Sequence, residues 1–179
     1  MKKILFGFFA LVLTLGVSSV ETSAQYKDNK SKKDIVDTAM ATDQLSTLVA
    51  AVKAADLVNT LKGAGPFTVF APANDAFAAL PAGTVESLLQ PENKSALTKV
   101  LTYHVVAGKV AAKDVAAAIK AGNGRAELTT VQGGKLVAMM DGKDVVLMDE
   151  MGRRSKVTAV DVMTSNGVVH LIDSVVMPK

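Results

Sequence analysis

The apolar period of this chain changes at Arg125, and that change constrains the fold more than any other feature. Before Arg125, apolar residues recur at helical spacing; after it, they fall in short alternating runs separated by Gly-containing dipeptides. Leu45, Leu48, Val49 and Val52 stand at i, i+3, i+4 and i+7, one face of a helix that Thr42 or Asp43 can cap. Leu57, Val58 and Leu61 continue the stripe until Gly63 and Gly65-Pro66 stop it. Beyond Arg125, runs at 127–132, 135–140 and 143–148 are joined by Gly133-Gly134 and Asp141-Gly142, dipeptides suited to tight hairpins with positive φ. Runs at 156–162 and 168–176 follow, with Asn166-Gly167 in the turn between them. In the first of these, Thr158, Val160 and Val162 share one face, and Val157, Ala159 and Asp161 the other. Helices followed by an antiparallel meander predict one α+β domain.

Within the helical half, the β-branched run 67–71 reads as a buried strand ended by Pro72. Asn74 or Asp75 can cap the turn that carries Phe77 and Leu80, and Thr84 can cap a short helix through Leu88 and Leu89. Pro91 opens a helix whose apolar face is Leu97, Val100 and Leu101. Residues 103–106 read as a further strand and 114–119 as a short Ala-rich helix.

Lys2 and Lys3 precede an apolar stretch at 4–17, and Thr22-Ser23-Ala24 closes it with small residues, the anatomy of a secretory leader. The stretch is shorter than the ~20 residues a membrane span needs. Residues 1–24 therefore read as a cleaved signal peptide and 25–33 as a flexible tail bearing Lys27, Lys30, Lys32 and Lys33. Residues 34–178 read as the folded domain. The expected location is secreted, periplasmic or at the cell surface, with no stable membrane insertion after cleavage. The chain has no Cys, which excludes disulfides, thiol catalysis and a thioether-linked lipid anchor. Its formal charge of +3 drops by one when Lys2, Lys3 and Glu21 leave, too little to argue for a nucleic-acid partner.

Catalytic readings find little support. No Gly-x-Ser-x-Gly elbow presents a nucleophile. His170 and Ser174 share a strand face but lie about 13 Å apart along it, too far for proton transfer. His104 and His170 have no carboxylate cluster to complete a metal site. Asp141, Asp144, Asp149 and Glu150 miss calcium-loop spacing and read as turn and solvent-face residues. The two histidines sit in apolar β runs, where a half-buried imidazole can pin one strand to another through a main-chain hydrogen bond. Asn74 can hold the irregular turn after Pro72 in the same way.

Three ordered blocks carry a resemblance: residues 68–77, TVFAPANDAF; Tyr103-His104; and residues 166–178, NGVVHLIDSVVMP. Together they resemble the fasciclin domain family, in its single-domain secreted bacterial type. The resemblance implies a wedge of two packed β-sheets with several helices alongside, no enzyme activity, no cofactor, and a role in cell adhesion or surface contact. In animal relatives an Asp-Ile pair before the second block and the Tyr-His motif contribute to integrin binding. The matching positions here are Asp161 and Val162, and Tyr103 and His104, which become the partner-binding candidates. Asn74, His170, Asn166 and Gly167 are the structural residues of the motifs. The implied partner is a protein or an envelope or matrix polymer. Some relatives carry hydrophobic pigments, so the alternative is a carrier of a small apolar ligand, with Met139, Met140, Met148, Met151 and Met163 lining an adaptable pocket or filling the core.

Overall fold

The structure is a computed structural model, and it describes residues 33–179; the leader and most of the basic tail predicted for 1–33 lie outside the described residues. The helical half begins earlier than the apolar period indicates. Helix α1 (Ile35–Met40) buries Ile35, Val36 and Ala39, and the Asp34 carboxylate caps it by accepting the Asp37 N–H at 2.8 Å. Six residues are too few to display a period. A 3-10 turn at Asp43–Leu45 leads into α2 (Ser46–Ala54), and α3 (Val58–Leu61) follows. Strand β1 (Phe67–Pro72) then runs into two short helices, α4 (Asn74–Ala78) and α5 (Thr84–Leu88). The predicted side-chain caps of these two do not form. Their cap positions are Ala73 and a left-handed Gly83.

Helix α6 (Lys94–Tyr103) extends through Tyr103, with His104 as its C-cap, so the Tyr-His pair closes a helix rather than lying in a strand. Strand β2 (Val105–Ala107) starts only after it, and α7 (Ala112–Ala121) precedes the meander. The meander is β3 (Arg125–Thr129), β4 (Lys135–Asp141), β5 (Asp144–Met148), β6 (Arg154–Met163) and β7 (Gly167–Ile172). The β4–β5 hairpin turns at Gly142-Lys143, one residue later than predicted, because Asp141 and Asp144 pair across it and the positive φ falls at Gly142.

The strands form one sheet in the order β2-β1-β7-β6-β5-β4-β3. The long strand β6 belongs to two halves. Its first residues pair with β5 and its later residues with β7. The halves face each other across a shared core in which Phe70 and Ile172 of one meet Leu128, Leu136, Ala138 and Leu147 of the other, with Val115 and Ile119 of α7 closing the end. The open edges approach each other where Val131 N–H donates to Val105 O at 2.7 Å, next to a Val106–Thr130 bridge. A nearly closed sheet of two packed halves with helices alongside is the α+β wedge that the sequence motifs imply.

The pairing of β1 with β7 was not legible. The two motif blocks lie side by side, parallel and in register from Phe67–Gly167 to Pro72–Ile172. Both faces of this pair are buried. Val69, Ala71, Val169 and Leu171 point toward α1, α2, α3 and α6, while Phe70 and Ile172 point into the sheet core. The strands approach so closely that a Cβ on Gly65 would stand 2.0 Å from Asn166 O, and one on Gly167 would stand 2.0 Å from Phe67 O.

Candidate functional site

The motif residues are spent largely on one another. Asn166 gathers three chain segments: its Oδ1 accepts the Ile35 N–H at 3.0 Å, and its Nδ2 donates to Leu61 O at 2.7 Å and Gly63 O at 3.1 Å. Asn74 does not hold the turn after Pro72 that its sequence position suggests; its side chain reaches residues 43–47 instead. Its Oδ1 accepts the Thr47 N–H and the Ser46 hydroxyl, and its Nδ2 donates to Asp43 O. It therefore caps α2 from a distance, a role sequence spacing cannot reveal, since α2 has no side-chain cap of its own.

Tyr103 and His104 lie in the interior. Tyr103 is fully buried; its hydroxyl donates to Lys135 O at 2.7 Å and accepts the Glu150 N–H at 3.2 Å, tying α6 to β4 and the β5–β6 turn. Burial pushes its phenol pKa up. His104 is equally enclosed. Its Nδ1 stands 2.8 Å from Val100 O, a contact that needs the proton on Nδ1, which leaves Nε2 to accept the Val176 N–H at 3.3 Å.

This enclosure gives His104 a pH signature. Burial pulls its pKa down to about 4, against smaller upward pulls from the Val100 carbonyl and the Asp149 carboxylate. Unfolded, the ring titrates near its ordinary 6.5. Between those values the unfolded chain binds a proton that the folded chain refuses. Stability is therefore full above about pH 6.5 and declines as the pH falls toward 4, by about 3 kcal/mol. The urea midpoint should drop across that window, and His104→Gln should flatten the slope; an unchanged slope in the variant would place the titration elsewhere.

His170 occupies the opposite side of β7. Its ring stacks on Phe70 with centroids 5.5 Å apart, its Nε2 stands 2.9 Å from Val110 O, and its Nδ1 accepts the Asp161 N–H at 3.2 Å. Asp161 has φ 59° within irregular β6, where the register shifts between Val157 and Ala159 and again between Ala159 and Val162. These shifts overturn the simple face alternation predicted for 156–162. The Asp161 carboxylate accepts the Ala112 N–H at 2.8 Å, at the first turn of α7. Val162 is half-buried against the helical core, whereas Val160 and Met163 on either side are 48% and 45% exposed. Among the described residues Asp161 and Val162 share no hydrogen bond with Tyr103 or His104; the Asp161 N–H is linked to His170 instead.

Loss of the α7 contact sets a modest cost. Asp161→Ala is expected to lower stability by about 1–2 kcal/mol, and Asp161→Asn by less, because Asn keeps an acceptor and tolerates the left-handed backbone. Urea unfolding of the two variants checks this; a larger loss in Asn than in Ala would contradict it.

Sequence reasoning missed Asp149. Its side chain is buried, and it accepts hydrogen bonds from Met151 N, Arg153 N, Arg153 Nε and Met177 N at 2.9–3.1 Å. It ties the β5–β6 turn to the C-terminal segment; it stands in a turn as read, but its side chain faces inward and not solvent.

An apolar groove lies between the helices and the outer face of β1 and β7. It encloses about 50 Å³ and is lined by Val36, Leu48, Val52, Leu61, Val69 and Leu101, among others. None of the five methionines proposed for a pocket lines it. They do not fill the core either: Met140, Met151 and Met163 are exposed, and Met139 and Met148 are half-buried on the strands. Their strand and turn positions carry them to the outer surface of the sheet. Among the described residues no helix is long and apolar enough to cross a membrane.

The Fasciclin domain family model matches residues 43–178. Protein sll1483 of Synechocystis is 47% identical over 96% of this chain and 91% of its own length. Immunogenic protein MPB70 of Mycobacterium bovis is 37% identical over 83% of this chain and 70% of its own. Human periostin is 31% identical over 93% of this chain, which spans only 18% of it. The structure of a FAS1 domain pair from the insect cell adhesion molecule Fasciclin I is similar in fold, with a TM-score of 0.59 and 22% identity over 74% of this chain and 45% of that one.

Proposed function

We propose a function from one premise: this chain belongs to the fasciclin domain family. On that premise it is an exported, non-enzymatic module that holds a protein or an envelope or matrix polymer at the cell surface. The observation that carries the reading is the irregular stretch of β6. There Val160 and Met163 stand exposed on either side of Asp161 and Val162, while the motif residues are largely occupied within the fold. Exposed apolar side chains on a strand held rigid by an internal hydrogen-bond network are suited to partner contact. In this reading Asp161 and Val162 form the contact segment, and Tyr103 and His104 are the buried posts that hold the domain beneath it. The leader-like residues 1–24 support export.

The test is retention of envelope or matrix preparations from the native host on surfaces coated with residues 25–179. Saturable retention, abolished by unfolding the coat in urea before assay, is expected. Retention no greater than on a blocked blank surface would overturn the reading.

A second reading, carriage of a small hydrophobic ligand, is favoured by the apolar groove beside β1 and β7. Mass spectrometry of protein purified from its native host should then find a co-purifying apolar molecule in stoichiometric amount.

A further inference from the structure

We propose that this groove takes a single-tailed aliphatic carboxylate of medium chain length, with its tail between the helices and the β1–β7 face and its carboxylate on Lys53. The proposal rests on the hydrophobic-ligand reading of the same groove and adds the head group and the tail.

The lining contains four polar residues, Lys53, Thr60, Thr102 and His104. Two are already committed. Both ring nitrogens of His104 meet main-chain groups, and the Thr102 hydroxyl donates to Thr98 O. That leaves Lys53 and Thr60 to meet a ligand's polar end.

Lys53 is the cation among the groove's lining residues. Lys62 is paired with Asp34 and Asp37, and Lys94 with Asp56, whereas no carboxylate among the described residues stands within ion-pair distance of Lys53. It projects from the last turn of α2 at the exposed margin of the groove. A lysine so placed lays its methylenes along the apolar wall and keeps its ammonium in water, the geometry that receives an amphiphile's anionic head. The charge is complementary to a carboxylate and has no competing carboxylate among the described residues.

The lining sets the tail. Apart from Lys53, Thr60, Thr102 and His104 the wall is apolar, which suits an alkyl chain. Met40 and Val131, 46% and 47% exposed, extend the apolar wall to the mouth, where the remaining methylenes lie.

The experiment is isothermal titration of residues 25–179 with hexanoate, octanoate, decanoate and decanol, each below its aggregation concentration, repeated with Lys53→Glu. Lys53 is exposed, so the variant should fold as the parent does, and its urea midpoint checks this. Decanoate is expected to bind saturably at one site, with affinity rising about fourfold per added methylene until the groove is full. Lys53→Glu should weaken decanoate at least tenfold and leave decanol within twofold. If decanoate and decanol both bind and Lys53→Glu affects neither, or both alike, the carboxylate assignment is overturned while the hydrophobic-ligand reading stands. If no compound binds saturably, both fall.

Discussion

Gly167→Ala should leave little folded protein, with a loss of more than about 4 kcal/mol against the roughly 5–15 kcal/mol that holds a domain together. The added Cβ would stand 2.0 Å from Phe67 O and 2.9 Å from Ile35 Cδ1. The first of these atoms is main chain in the paired strand, so it cannot turn aside as a flexible side chain would. Relief requires β1 and β7 to separate where Phe67 and Gly167 pair, and both strand faces are core. Gly142→Ala is the control. Its Cβ meets nothing within 4 Å, and its φ of 63° alone sets a cost of about 1–2 kcal/mol. Expression yield and urea unfolding read both variants; a Gly167→Ala protein within 1 kcal/mol of its parent would show that the close approach of the strands is not required.

Asp149→Ala is expected to cost about 4 kcal/mol. One buried carboxylate accepts four hydrogen bonds, and its removal leaves three main-chain N–H groups and the Arg153 guanidinium without that partner. Asp149→Asn should cost roughly half as much, since one oxygen still accepts while the amide nitrogen cannot. Hydrogen exchange at Met177 offers a local readout: its amide should lose protection in both variants. Equal stability of Ala and parent would mean that the turn and C-terminal segment are held by packing alone.

These two residues also mark the limits of what the sequence discloses. The change of period at Arg125 identified the meander, and Gly133-Gly134, Asp141-Gly142 and Asn166-Gly167 located its turns to within a residue or two, because such signals are local. The parallel β1–β7 pair joins residues about a hundred positions apart, and no local pattern states which strand sits beside which. Asp149 looked like any acidic turn residue, since its burial comes from the C-terminal segment folding back over it. Tyr103-His104 looked like the start of a strand because aromatic and β-branched neighbours favour that reading. The preceding α6 extends through the pair instead, and packing overrides propensity there. The irregularity of β6 was likewise invisible, because alternation in sequence persists where the register slips. Of the candidate site, the identities of the motif residues were legible, and their inward orientation was not.

On the proposed reading the motif residues build the domain and the irregular β6 surface makes the contact. Retention of native envelope or matrix material at neutral pH on coats of two folded variants, His104→Gln and Val160→Glu/Met163→Glu, separates these roles. Retention within twofold of the parent is expected for His104→Gln, and at least a tenfold loss for the β6 variant. Loss in His104→Gln with full retention in the β6 variant would overturn the assignment of the contact to β6.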